Sequence, residues 1–167
     1  MIPAPGRSPV PDRSAEAAEP PVIALRDVEP GDLELFYAYQ LDPEACRMAD
    51  FTSRDRESSR AQWGRILAND SICKRTILVD GAVAGHIVSF PDDAGRREVG
   101  YWLGREFWGR GTATRALSAF LQIEQQRPLY AHTATANLAS RRVLEKNGFR
   151  LTAEDDTGFS LQLGGDP

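Results

Sequence analysis

Cysteine, basic charge and long apolar runs are all scarce in this chain, and each scarcity removes a class of function. The only cysteines are Cys46 and Cys73. Two isolated thiols make neither a metal-ligand spacing nor a disulfide framework, so they read as free thiols of a reducing compartment. Lysine and arginine together number 20 against 24 aspartates and glutamates, giving a formal charge of −4 and a pI near 5.2. A nucleic-acid binder usually shows a basic excess, so the balance speaks against one and suits a neutral or cationic small substrate. No stretch is apolar enough to span a membrane, and the opening MIPAPGRSPVPD lacks the roughly 7–15-residue apolar core of a secretory signal. The expected location is the cytoplasm, with no membrane partner. No internal repeat is present, and 167 residues suffice for one domain with its own core.

Residues 1–21 hold six of the eleven prolines and few large apolar side chains. Such a composition cannot bury enough surface to offset the entropy of ordering, so a tail is expected there and a single domain over 22–167. Alternation predicts a strand over Val22–Val28. Apolar residues three and four apart predict short helices over Gly31–Gln40 and Glu44–Ala49, then a longer one over Asp55–Leu67. Lys74–Asp80 and Ala82–Phe90 flank Asp80-Gly81, a pair that tolerates the positive φ angles of a tight hairpin. A strand over Arg97–Leu103, a helix over Thr112–Gln125, a strand over Pro128–Thr133 and a helix over Leu138–Asn147 follow. Closing strands are expected over Phe149–Ala153 and Gly158–Leu163. His86 and His132 fall in mid-strand and read as structural histidines.

The chemistry concentrates in Glu98–Thr114, EVGYWLGREFWGRGTAT. A strand runs through a glycine-rich turn into a helix, whose first-turn N–H groups and positive dipole end form a seat for phosphate. Three readings compete for Gly109 and Gly111. A nucleotide-hydrolase P-loop needs a following Lys-Ser/Thr pair, and none stands there. A dinucleotide fingerprint needs a third glycine where Thr114 stands and a ribose-binding acid after the next strand, where Ala131-His132-Thr133 stands instead. A turn that uses glycine only for its shape remains open from the turn alone.

A second block lies downstream, ANLASRRVLEKNGFR from Ala136 to Arg150. Together the two blocks resemble the GNAT superfamily of acyl-CoA-dependent N-acyltransferases, in particular its ribosomal-protein N-terminal-alanine acetyltransferase (RimJ/RimL-like) branch. The resemblance implies a mixed α/β (α+β) fold with a central twisted, mostly antiparallel sheet flanked by helices, and acetyl-CoA (coenzyme A) as co-substrate with no metal. Its loop pattern places coenzyme pyrophosphate on backbone amides around Trp108, Gly109, Arg110, Gly111, Thr112 and Ala113. Glu106 stands where the family usually has Gln or Arg, which affects that side chain's contact but not the backbone cradle. Tyr101, Trp102 and Leu103 are implied to lie on an opened strand facing the thioester carbonyl. Asn137 and Ser140 share one helix face toward the pantetheine arm, Ser140 near the sulfur. Asn137 also fits a simple helix N-cap. Glu98 matches the family's frequent general base, acting directly or through water, and a solvated strand-end carboxylate beside Arg96 and Arg97 is the alternative.

Acetyl transfer to an amine needs a neutral amine, a polarised thioester carbonyl and a stabilised thiolate. The resembled family often places a tyrosine seven residues after the asparagine as acid, and here that position is Leu144. The expected catalytic residues are therefore Glu98 and Ser140, with the latter acting through water. Tyr37, Tyr39, Met48, Asp50 and Phe51 are the candidates for acceptor contact. The expected activity is acetyl-CoA-dependent N-acetylation of a primary amine, a protein N-terminus or a small molecule, by a monomer or homodimer without nucleic acid. The alternatives are a non-catalytic acyl-CoA-binding module and, from the loop's glycines, a nicotinamide dinucleotide binder.

Overall fold

The computed structural model describes residues 19–165. Most of the expected N-terminal tail, residues 1–18, lies outside them. Seven strands form one sheet in the order β1-β2-β3-β4-β5-β7-β6. They are β1 (Ile23–Arg26), β2 (Cys73–Val79), β3 (Ala82–Pro91), β4 (Arg97–Leu103), β5 (Leu129–Ala134), β6 (Arg150–Glu154) and β7 (Gly158–Leu163). Five helices flank it: α1 (Leu33–Tyr39), α2 (Pro43–Ala49), α3 (Arg56–Ala68), α4 (Thr112–Phe120) and α5 (Leu138–Lys146). Every neighbouring pair is antiparallel except β4 and β5. The mixed α/β architecture with a mostly antiparallel sheet is the one the sequence implies.

Local chemistry explains where the elements begin. The β2–β3 hairpin turns on Asp80 and Gly81, both at positive φ (49° and 82°), as a primed turn requires. Asp42 caps α2 by accepting from the Glu44 and Ala45 amides, with Pro43 in the first turn, and Asp55 caps α3 through Ser58. One face of the sheet packs against α4 and α5 through Ile77, Ile87, Leu117, Phe120, Leu129 and Leu161, all fully buried. The other face meets α1 and α3, where Phe36, Trp63 and His86 stack with ring centroids 4.8–4.9 Å apart.

Two boundaries depart from expectation for physical reasons. The helix expected to reach Gln125 ends at Phe120, and Leu121 to Ile123 form a turn. That turn swings Glu124 inward, where its carboxylate accepts from Ser89 and from Arg97 Nε at 2.9 Å. A buried charge-assisted cluster outweighs one more helical turn. The first expected helix is split as well, because Pro30–Asp32 form a short 3-10 turn before α1. Asp32 faces inward there, bonded to Arg26 and to Thr76 Oγ1.

The feature that matters for function is where two strands separate. β4 pairs with β3 along its full length, from Gly85↔Leu103 to Pro91↔Arg97. β5 pairs with β7 from Leu129↔Leu163 to Ala134↔Gly158. Between these two blocks only Arg97↔Leu129 and Glu98↔Tyr130 are paired. Beyond Glu98 the strands part, and β4 faces its former neighbour with no ladder partner.

Candidate active site

The glycine turn begins one residue after β4 and contains a short 3-10 turn, Arg105–Phe107. Gly109 and Gly111 both sit at positive φ (73° and 72°), and an added Cβ at either meets nothing within 4 Å. Glycine is therefore needed for backbone conformation and keeps the surface bare. The first turn-closing bond of α4 runs from the Arg115 amide to the Gly111 carbonyl at 3.1 Å. The amides of Thr112, Ala113 and Thr114 thus have no carbonyl within the helix, and they stand at the positive end of its dipole.

A cleft of about 600 Å³ opens between this turn, the end of β4 and α5. Tyr101, Trp102, Leu103, Trp108, Gly109, Gly111, Thr112, Ala113, Asn137 and Ser140 all line it. Arg110 does not, and its side chain is exposed. Arg105 also turns away, toward Asp42 at 3.4 Å. The positive charge on the wall comes instead from Arg142 and Lys146 of α5, with Met48, Phe107 and Val143 adding apolar surface. Phe107 and Val143 escaped the sequence reading, while Arg142 and Lys146 fitted either solvent or the adenosine phosphates from sequence. The signal available was spacing, since Ala139, Arg142, Val143 and Lys146 fall three and four apart on one helical face.

A second hollow of about 270 Å³ fills the split between β4 and β5, lined by Gly100, Ala131, His132, Thr133, Leu144 and Asp50 among others. It shares Ala49, Tyr101, Asn137 and Ser140 with the large cleft, so the two meet at those four residues. The junction is hydrogen-bonded: Tyr101 OH donates to Ser140 Oγ at 3.0 Å, and Asn137 Oδ1 accepts from the Ser140 amide at 3.0 Å. Asn137 is thus the N-cap of α5 and a wall residue at once. Burial pushes the Tyr101 phenol up to about 12, with the Ser140 bond opposing. Leu144 is buried beside them, where it contributes shape and no proton.

Glu98 stands at the last β4–β5 pair, opposite Tyr130 on one side and Phe90 on the other. It lines neither hollow. It shares the α1–α3 side of the sheet with Gly100, two residues on and about 7 Å along the strand. Burial and the nearby Asp92 raise its carboxyl pKa above the ordinary value, with His132 and Arg96 opposing. His132, expected to be structural, is exposed and lines the split, because β5 has no neighbouring strand on that side there. His86 does sit in the interior, where burial lowers it to about 4. Of the acceptor candidates, Asp50 lines the split and Met48 the large cleft. Tyr39 donates to the Val83 carbonyl at 2.7 Å, the Arg56 guanidinium covers Tyr37, and Phe51 packs on Trp102 at 5.3 Å. Among the described residues no group of three His, Cys, Asp or Glu side chains gathers as a metal ion requires, and no helix is long and apolar enough to cross a membrane.

Comparison with known proteins meets this geometry from outside. YdaF of Bacillus subtilis (strain 168), named provisionally as a ribosomal N-acetyltransferase, is 34% identical over 101 residues, which is 56% of this chain and 55% of YdaF. The chain thus matches about half the length of that relative. The fold aligns with a GNAT-family acetyltransferase from Bacillus anthracis at a TM-score of 0.68, 18% identity, 84% of this chain and 91% of that one. It also aligns with spermidine N-acetyltransferase from Vibrio cholerae, solved with CoA and spermine, at a TM-score of 0.70, 14% identity, 84% of this chain and 92% of that one. The acetyltransferase (GNAT) domain model matches residues 23–150, spanning β1, the split strands, the glycine turn and α5, and the chain belongs to that family.

Proposed function

We propose that this protein transfers an acetyl group from acetyl-CoA to a primary amine by direct attack on the thioester. The observation that carries the reading is the meeting of two hollows at Tyr101, Asn137 and Ser140, one bordered by a helix N-terminus and the other opening through a split sheet. The bare turn at Gly109 and Gly111 fits a pyrophosphate, because no Cβ intervenes and the amides of Thr112 to Thr114 are unspent. Arg142 and Lys146 supply the charge for further phosphate. The thioester is the acetyl donor. Unpaired backbone on β4 beyond Glu98 stabilises negative charge on its carbonyl oxygen, as an oxyanion hole does.

The proton inventory assigns the side chains. A primary amine arrives mostly as ammonium and must lose a proton before its lone pair can form the C–N bond. Glu98 accepts that proton through water, since it faces the split's sheet side without lining it. The C–S bond then breaks, the electron pair leaves on sulfur, and the second proton that the nitrogen sheds to become an amide passes through solvent to that thiolate. A phenol near 12 does not surrender its proton to a thiolate whose acid has a pKa of about 8.5. Tyr101 therefore works as a positioning residue: by donating to Ser140 Oγ it leaves the serine hydrogen free to point at the leaving sulfur. Within the family, the partial match to YdaF supports the ribosomal-protein branch and hence a chain N-terminus as acceptor.

The buried Leu144 favours one competing reading, a binding module that holds acyl-CoA without turning it over. Thiol release from acetyl-CoA, measured over a panel of small amines and N-terminal peptides, separates the two. Transfer predicts release with some member of the panel, abolished or strongly reduced by Glu98→Gln with coenzyme binding kept. Silence across a broad panel, with tight coenzyme binding, supports the module instead.

A further inference from the structure

A third hollow, of about 340 Å³, lies beyond the two that form the site. Its walls are Trp63 and Ile66 of α3, Ile72 of the following turn, and Val88 and Phe90 of β3, with Gln40, Gln62 and Asn69 adding amides. The volume falls in the range of about 300–1,000 Å³ typical of ligand pockets. Among the described residues no charged side chain lines it. The imidazole of His86 lines it, only 8% exposed, and its Nδ1 has no hydrogen-bond partner among the described residues.

Register connects this hollow to the split. Val88 pairs with Gly100 and Phe90 with Glu98, so these four residues share the sheet face beneath α1–α3. Gly100 lines the split and Val88 lines the third hollow. Neighbouring strands are only about 5 Å apart, a reach of a few bonds. A Cβ built on Gly100 meets nothing within 4 Å, so no side chain covers that residue on the face it shares with Val88.

We infer that the third hollow receives a substituent of the acceptor, and that the acceptor is a primary amine carrying an uncharged aromatic or branched apolar group a few bonds from its nitrogen. This rests on the acetyl-transfer reading and deepens it. The amine enters the split near Gly100 while its side group crosses Val88 and packs on Trp63, Ile66 and Phe90. A second cationic centre placed there would lose its hydration with no carboxylate to replace it, which disfavours polyamines. The amides and the unpartnered imidazole of His86 can meet one polar atom on the group.

The test compares 2-phenylethylamine, n-butylamine and spermidine as acceptors, with a hexapeptide bearing Phe or Gly second to show whether the amine comes from a free molecule or a chain end. Val88→Phe and Ile66→Phe fill the hollow from opposite walls, both at half-buried positions. In the native protein kcat/KM for the aromatic amine, or for the Phe peptide, exceeds its plain counterpart by about tenfold or more, the scale of apolar discrimination by a pocket. Either filling variant removes that preference and leaves n-butylamine turnover and coenzyme affinity unchanged. A native ratio near one, a preference for spermidine, or a ratio that survives both variants overturns the inference. If no amine is acetylated, the transfer reading falls, and tryptophan fluorescence titrated with 2-phenylethylamine decides the hollow alone. Saturable binding lost in Val88→Phe sustains it, and no binding sinks it.

Discussion

Replacing Glu124 with alanine strikes the cluster that anchors the root of the split. Glu124 and Arg97 are 2.8 Å apart with side chains only 5% and 14% exposed, and Ser89, fully buried, donates to the same carboxylate. Arg97 also forms the first of the two β4–β5 pairs. Truncation leaves the guanidinium and a buried hydroxyl without their acceptor. Breaking a buried pair from one side costs about 3–5 kcal/mol, and a domain of this size loses roughly 2–4 °C per kcal/mol, so the expected fall in Tm is about 6–20 °C. The lower half is favoured because Arg97 keeps a second bond, to the Ser71 carbonyl. Calorimetry reads the Tm, and Glu124→Gln, which keeps the Ser89 bond without the charge, falls between. The pH dependence follows with a definite sign. Burial pushes the Glu124 carboxyl up, but bonds from Ser89, the Gln126 amide and Arg97 outweigh it and hold it below the ordinary value. Its contribution is therefore complete above the ordinary glutamate range and disappears as pH falls through the lowered value, where native and variant curves converge. A drop of less than about 2 °C at neutral pH refutes the claim that this cluster is a stabilising unit.

Three further outcomes follow from the site and its supports. Glu98→Gln lowers kcat/KM by about 10²–10⁴, the range of a general base, without changing coenzyme affinity. Because burial and Asp92 raise Glu98, and the base works ionised, the native acid limb of kcat/KM lies above the ordinary carboxylate range and vanishes in the variant. Gly111→Ala meets no neighbour but holds alanine at positive φ, so stability falls by about 1–2 kcal/mol in a melt, and coenzyme affinity falls further as the methyl narrows the turn. Asp32→Asn removes a carboxylate that Arg26 and Thr76 hold, against the opposing effect of burial, at about 2. Its Tm falls at neutral pH, and the native protein keeps this contribution until pH drops below the usual aspartate range.

What could be read from the residues alone was whatever local chemistry decides. Gly109 and Gly111 announce a backbone at positive φ, Asp80-Gly81 announces a hairpin, and Asn137 announces a cap, because each property lies within a few residues of its cause. The departures share the opposite origin. Nothing near Glu124 discloses that Ser89 and Arg97, 35 and 27 residues away, pull it from a helix into the core. His132 looks like any mid-strand histidine until β4 and β5 are seen to part, a consequence of each strand's other partner. Arg142 and Lys146 were legible as one face of α5 and unassignable until the turn at Gly109 stood opposite them.

The seating of coenzyme on the glycine turn is the claim on which the rest depends. Hydrogen exchange of the native protein with and without acetyl-CoA, resolved to short peptides, tests it directly. Amides of Gly109 to Thr114 and of the α5 start at Asn137 to Ser140 should slow on binding, while the Asp80-Gly81 hairpin stays unchanged. Protection confined to other segments, or the same protection produced by NAD and not by coenzyme A, would contradict the account.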